Sequence, residues 1–148
     1  MLQVVCGHCE TANRVASGRD PLGAKCGKCG RPLFAGHPAD VSAEGLERRR
    51  RLSQGVALLV DVWAPWCGPC RAMAPQFAVA AARLEPRVQL VKLNSDAHPE
   101  ASARLGVRGI PTLILMSGAA EVARASGAMS AEQIVGWTQR ALAGVAAA

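Results

Sequence analysis

All six cysteines of this chain stand in C-x-x-C pairs: CGHC at 6–9, CGKC at 26–29 and CGPC at 67–70. A C-x-x-C turn brings two thiols to one side of the backbone, so each pair suits either a metal ion or a reversible disulfide. How the three pairs divide between those uses bounds what 148 residues can fold into.

Sixteen residues separate Cys9 from Cys26, the spacing of a structural zinc site built from two knuckles. Each knuckle can aim two thiolates at one ion while its backbone N–H groups donate to the sulfurs, and Gly7, Gly27 and Gly30 supply the freedom those turns need. Cys6, Cys9, Cys26 and Cys29 would fill a tetrahedron around one zinc ion, a closed and therefore structural site. Residues 1–36 are rich in Gly, Cys, Lys and Arg and carry no long hydrophobic period, so they read as short strands and turns around that metal. By analogy with zinc-finger peptides the ion would contribute on the order of 10 kcal/mol, offsetting the missing core. His8 could compete as a ligand, but with four Cys available it is expected to face solvent.

Downstream, the pattern changes. HPADV at 37–41 reads as a connector, and Ser42 caps a helix running to about Leu52, with Gly55 beyond its end. VALLVDVW at 56–63 is a continuous apolar segment, as in a strand buried on both faces. A helix follows from about Cys67 to Leu84, kinked by Pro75. RVQLVKLN at 87–94 is a strand, and HPEASARLG at 98–106 a short helix closed by Gly106. TLILM at 112–116 and EVARAS at 121–126 are strands joined through Ser117-Gly118. Ser130, followed by Glu132, starts an amphipathic last helix, and the alanine-rich end, 143–148, is expected to fray. Alternation of this kind predicts an α/β domain over residues 37–148, a central mixed sheet flanked by helices, preceded by a zinc-binding ribbon-like module over residues 1–36.

Cys67 and Cys70 have no second pair to complete a tetrahedron, and nothing in the spacing of His37 or His98 recommends either as a ligand. Their place between a buried strand and a helix favours redox chemistry. Cys67 would sit at the helix N-terminus, where unpaired N–H groups and the dipole lower its pKa. Cys70, one turn further in, would be buried and protonated. The exposed thiolate would attack a disulfide and the inner thiol resolve the mixed disulfide. Gly68-Pro69 constrains the loop between them. Asp61 is a carboxylate in the middle of an apolar strand, and burial raises its pKa. With Lys92 on the next strand it forms either a proton acceptor for Cys70 or a structural salt bridge.

The formal charge of +6 raises the question of nucleic acid. The basic residues are scattered except for Arg48-Arg49-Arg50-Arg51, which reads as a solvated helix face, and few aromatics accompany them for stacking, so no nucleic-acid partner is expected. No apolar stretch reaches the roughly 18 residues needed to span a bilayer, and MLQVVCGHCE has neither a basic leader nor an apolar core, so no membrane is expected. The cytoplasm is the default, where paired cysteines serve as metal ligands or redox catalysts.

DVWAPWCGPCR, VKLN, GIPTL and SGAMS fall in the order and spacing of a thioredoxin, from about residue 37 to the end, and WCGPC is highly specific for that family. With its four-Cys module the chain resembles the zinc-bearing second class of bacterial thioredoxins. The resemblance implies the thioredoxin fold and a protein-disulfide reductase. Its partners would be disulfide-containing clients and a flavin-dependent, NADPH-driven thioredoxin reductase; it would act as a monomer and bind no organic cofactor. Pro111 matches the family's cis-proline, which leaves Ile110 to pair with an extended substrate segment. Trp66, Gly68, Pro69, Ile110, Pro111 and Gly127 surround the nucleophile as a substrate-docking surface. Trp63 matches a packing tryptophan, Pro75 the helix-kinking proline, and Asp61 and Lys92 the buried acid and its lysine. Val62 stands where many members have Phe, and Tyr is absent, which implies altered packing. The rival readings are a disulfide oxidase or isomerase, or a zinc-dependent binding or chaperone module using the domain as a scaffold, which the Arg48–Arg51 run alone favours.

Overall fold

A computed structural model describes residues 1–147. The elements are β1 (Leu2–Val5), β2 (Ala12–Val15), β3 (Ala39–Asp40), α1 (Ala43–Leu52), β4 (Ala57–Trp63), α2 (Gly68–Leu84), β5 (Val88–Asn94), α3 (Pro99–Arg104), β6 (Thr112–Ser117), β7 (Ala120–Ser126) and α4 (Ala131–Ala147).

The last five strands form one sheet in the order β3-β5-β4-β6-β7. β4 runs parallel to β5 and antiparallel to β6. Its residues alternate between two cores, since successive side chains of a strand point to opposite faces. Leu59 joins Met73, Phe77 and Ala81 of α2 and Ile134 of α4 on one face. Leu58, Val60 and Val62 join Leu46 of α1 and Ala101 of α3 on the other. The chain therefore has the mixed sheet, covered on both faces, that its alternating pattern predicts.

Local signals account for most boundaries. Ser42 Oγ accepts from the Gly45 N–H at 3.0 Å and starts α1. Pro75 is accommodated inside α2, which runs unbroken to Leu84. The β6–β7 turn falls at Gly118-Ala119, one residue later than expected, with Gly118 at φ 60°. At the start of α4 the reciprocal partner of Ser130 is Gln133, while Glu132 pairs with Arg83. That helix is continuous to Ala147 where fraying was expected from 143; residue 148 lies outside the described residues. The segment 37–41 is more than a connector, because Ala39–Asp40 pairs in parallel with Val91–Lys92 and supplies the sheet's edge. Two residues satisfy backbone groups of β5 that an open edge would leave bare.

Residues 1–36 form an antiparallel β1–β2 hairpin and a second turn around a small core of Val4, Val15, Leu33 and Phe34, to which Val56 also contributes. This unit is built into the sheet domain. Gln3 and Gln54 exchange two backbone bonds of 2.9 and 3.0 Å, and the buried Gln89 amide of β5 donates to the Val5 carbonyl at 2.7 Å.

The arginine run departs furthest from expectation. Arg49 is 1% exposed. Its guanidinium bonds Glu10 Oε2 at 2.7 Å, the Gly45 carbonyl at 2.9 Å and the Cys6 carbonyl at 3.3 Å. Arg48 donates to the Glu10 carbonyl at 2.7 Å. A Cβ on Gly45 would stand 2.4 Å from Glu10 Oε2, so only glycine admits the carboxylate there. Arg48 and Arg49 latch α1 to the first knuckle, while Arg50 bonds Glu47 and the Ala119 carbonyl and Arg51 stays exposed.

Candidate active site and metal site

Buried strand β4 ends at Trp63, and residues 64–66 lead directly to Cys67, the N-cap of α2. Cys67 and Cys70 are joined by a disulfide with Cα atoms 5.2 Å apart. Cys67 Sγ accepts the Cys70 N–H at 3.2 Å, so one sulfur receives a helix N-terminal donor that would stabilise a thiolate. The expected contrast of an exposed Cys67 and a buried Cys70 is absent in this disulfide state, at 4% and 2% exposure. What separates the two sulfurs is the direction of the helix donor. No Cβ contact closes off Gly68, and Pro69 occupies the first turn of the helix.

Around the disulfide the chain gathers Trp66, Ile110, Pro111 and Gly127. The Ile110–Pro111 peptide is cis. The Ile110 carbonyl oxygen lies 3.9 Å from Cys67 Sγ, and the Gly127 N–H donates to the Pro111 carbonyl at 2.9 Å. Trp66 is 68% exposed, and its indole N–H donates to Asp96 Oδ1 at 3.1 Å. Asp96 went unnoticed in the sequence, where an acid in a turn after a strand carries no signal. The outcome is a surface beside the sulfur–sulfur bond on which Trp66 and Gly127 are exposed, Ile110 is half-buried and Pro111 is buried.

Asp61 lies in mid-β4 at 1% exposure, and neither carboxylate oxygen has a hydrogen-bond partner. Burial pushes its pKa up to about 7, against the opposing charge of Lys92. Lys92 is its direct neighbour across the β4–β5 register, yet no ion pair joins them among the described residues. The Lys92 ammonium instead lies 4.5 Å from the centroid of the Trp63 ring, a cation–π contact that compensates the charge without a carboxylate. A groove lined by Asp40, Trp63, Lys92 and His98 opens beside it. An acid titrating near neutrality can hold or release a proton at working pH.

The other four cysteines converge. Cys6 Sγ lies 3.7 Å from Cys29 Sγ, Cys9 Sγ lies 3.5 Å from Cys26 Sγ, and all four fall within 4.8 Å of one another. Four thiolates about 2.3 Å from one zinc ion would be about 3.8 Å apart, so the donor set fits a tetrahedral metal. The His8 and Lys28 N–H groups each donate at 3.4 Å to the first sulfur of their knuckle. Backbone donors from Cys29 and Lys28 lower the Cys26 thiol to about 6, ready to bind as thiolate. Asn13, another residue without a sequence signal, ties β2 to the second knuckle by donating to Cys26 Sγ at 3.5 Å and accepting the Gly27 N–H at 2.9 Å. His8 is exposed and bonds Arg31 at 3.1 Å, outside the thiol cluster.

Comparison with known proteins agrees with this geometry. The family model described as Thioredoxin matches residues 47–140. Thioredoxin C-3 of Corynebacterium nephridii is 37% identical over 139 residues, covering 94% of each chain. Thioredoxin 1 of a Nostoc species is 42% identical over 78 residues, 53% of this chain and 73% of that protein. Among solved structures, chloroplastic thioredoxin z superposes with a TM-score of 0.64 at 31% identity, covering 72% of this chain and 96% of that one. Fasciola hepatica thioredoxin gives 0.59 at 33% identity, covering 66% and 92%.

Proposed function

Since the chain belongs to the thioredoxin family, and is thereby a thiol–disulfide oxidoreductase, we propose that it reduces disulfides of client proteins with electrons from a thioredoxin reductase. The observation that carries this reading is the Cys67–Cys70 disulfide at the mouth of α2, with a helix N–H aimed at Cys67 Sγ. In the reduced protein the Cys67 thiolate attacks one sulfur of a client disulfide; a Cys67–client bond forms and the client's other sulfur leaves as thiolate. Cys70 loses its proton and attacks Cys67 Sγ, which closes the intramolecular disulfide and releases the second client thiolate. Two electrons pass to the client. Asp61, with its pKa near 7, takes the Cys70 proton, and Lys92 sets the charge beside it. Trp66, Gly68, Pro69, Ile110, Pro111 and Gly127 receive the client as an extended segment.

The reading extends to a zinc-bearing thioredoxin of the second bacterial class, divided into a zinc module of residues 1–36 and a domain of residues 37–148. Cys6, Cys9, Cys26 and Cys29 would hold the ion, and zinc would supply a closed structural crosslink. Electron transport in the cytoplasm and a monomeric state are part of the same proposal. A bare binding module draws its support from the Arg48–Arg51 run, of which Arg49 is buried and Arg48 and Arg50 are half-buried.

Cys67→Ser tests the reading through reduction of insulin disulfides by dithiothreitol. The catalysed rate should fall to the uncatalysed background; turnover at the parental rate would overturn it. A reduction potential at or above that of glutathione would turn the direction toward oxidation or isomerisation.

A further inference from the structure

We propose that Ser126 is a positioning residue for client binding, holding the 109–111 loop in register through a hydroxyl relay to Thr112; this rests on the reading of Ile110 as the client's strand partner.

The β6–β7 ladder pairs Thr112 with Ser126 at its end nearest the disulfide. The Gly127 N–H donates to the Pro111 carbonyl at 2.9 Å, which marks Thr112–Ser126 as a non-hydrogen-bonded pair, the kind whose side chains approach most closely. The next rung would need an N–H on residue 111, and proline has none. One backbone bond therefore holds the loop to β7 beyond Thr112, and side chains supply what is missing. Thr112 Oγ1 donates to the Gly109 carbonyl at 2.5 Å. Its only hydrogen is thereby used, so in the 3.1 Å contact between the two hydroxyls Ser126 is the donor. The relay runs from Ser126 through Thr112 to Gly109, one residue before Ile110.

Thr112 is 2% exposed, whereas Ser126 is exposed and borders Gly127 on the docking rim. The relay is anchored inside and ends at the surface a client would cover. Loss of the Ser126 hydroxyl leaves α2, both cysteines and the Thr112–Gly109 and Gly127–Pro111 bonds in place, but removes the donor that fixes the Thr112 hydroxyl on the loop whose Ile110 carbonyl faces Cys67. Extended protein substrates should feel the change, and small disulfides that make no strand pairing should not.

Ser126→Val and Ser126→Thr form the test, since both are β-branched strand residues and only threonine keeps the hydroxyl. With dithiothreitol as reductant, KM for insulin should rise about three- to ten-fold in Ser126→Val, the range expected for one lost hydrogen bond, with kcat unchanged. Ser126→Thr should restore the parental KM, and dithiobis(nitrobenzoate) should be reduced equally by all three proteins. Equal KM values in the valine and threonine variants would overturn the proposal, as would a parallel loss on the small disulfide. The parental protein's own insulin turnover is the control for the underlying function, so failure of that reading shows separately.

Discussion

Three C-x-x-C pairs begin with the same hydrogen bond and then part. The carbonyls of Cys6, Cys26 and Cys67 accept the N–H four residues on, from Glu10, Gly30 and Arg71, at 3.0, 2.9 and 3.1 Å. In the first two the fifth residue turns left-handed, Glu10 at φ 66° and Gly30 at φ 77°. The chain folds back, and the Cys6 and Cys26 N–H groups bond the Thr11 and Arg31 carbonyls at 2.9 and 2.8 Å. Both thiols of each turn then face a second turn. After Cys70 the helix continues through Arg71 for four more turns' worth of packing, so the thiols have only each other. The residue after the second cysteine, not the spacing, separates turns whose thiols can share a metal from a turn whose thiols can only pair with each other.

Metal removal should break the comparison most completely. Residues 1–36 have a core of few side chains against roughly 1–2 kcal/mol of backbone entropy per residue, so on the proposed reading a metal crosslink, worth on the order of 10 kcal/mol, would hold them. Chelation under reducing conditions should strip amide-exchange protection from β1 and β2 while α2 and β4 remain protected. The sheet domain should also lose stability, because Arg49 would stay buried without Glu10. Full protection of β1 and β2 after metal loss would show that packing alone holds the module.

Asp61 gives the next largest effect. Its folded pKa of about 7 lies above the usual carboxylate range, so between about pH 4 and 7 the folded state keeps a proton that the unfolded state has released. The contribution of Asp61 to stability therefore falls as pH rises through that window and levels off above it. Asp61→Asn cannot ionise, and above pH 7 it should exceed the parent by roughly 2–4 kcal/mol in denaturant melts. Resolution of the mixed disulfide should slow in the same variant by on the order of a hundred-fold, as for loss of a general base. A stability difference between parent and Asp61→Asn that stayed flat from pH 4 to 8 would remove Asp61 from the mechanism.

Which of these features the sequence could disclose depended on how local their causes are. WCGPC, the buried strand before it and the Ser42 cap are written in consecutive residues, and so is Gly30, since glycine after a C-x-x-C announces a left-handed turn. Glu10 carries no such sign. It adopts the same conformation because Arg48 and Arg49, thirty-eight and thirty-nine residues on, bind its carbonyl and carboxylate. For the same reason an arginine run that looks solvated in sequence is partly buried in the fold. Strand β3 is two residues long and exists only by pairing with β5. The Lys92 ammonium sits over Trp63 instead of pairing with Asp61, a choice made by tertiary geometry that charge patterning does not reveal.

The smallest effect isolates the residue on which the comparison turns. Gly30 and Gly68 both have free space where a Cβ would go, so steric fit is equal at the two positions. They differ in backbone: Gly30 is left-handed, whereas Gly68 opens α2 with no positive φ. Gly30→Ala should cost about 1 kcal/mol, the penalty for an L-residue in that region. Gly68→Ala should gain about 0.5 kcal/mol by narrowing the unfolded ensemble at a compatible site. Denaturation midpoints of the metal-loaded, disulfide-bonded protein would show opposite signs. If Gly30→Ala proved as benign as Gly68→Ala, the left-handed residue would not be what divides these turns, and the metal itself would have to impose the fold-back.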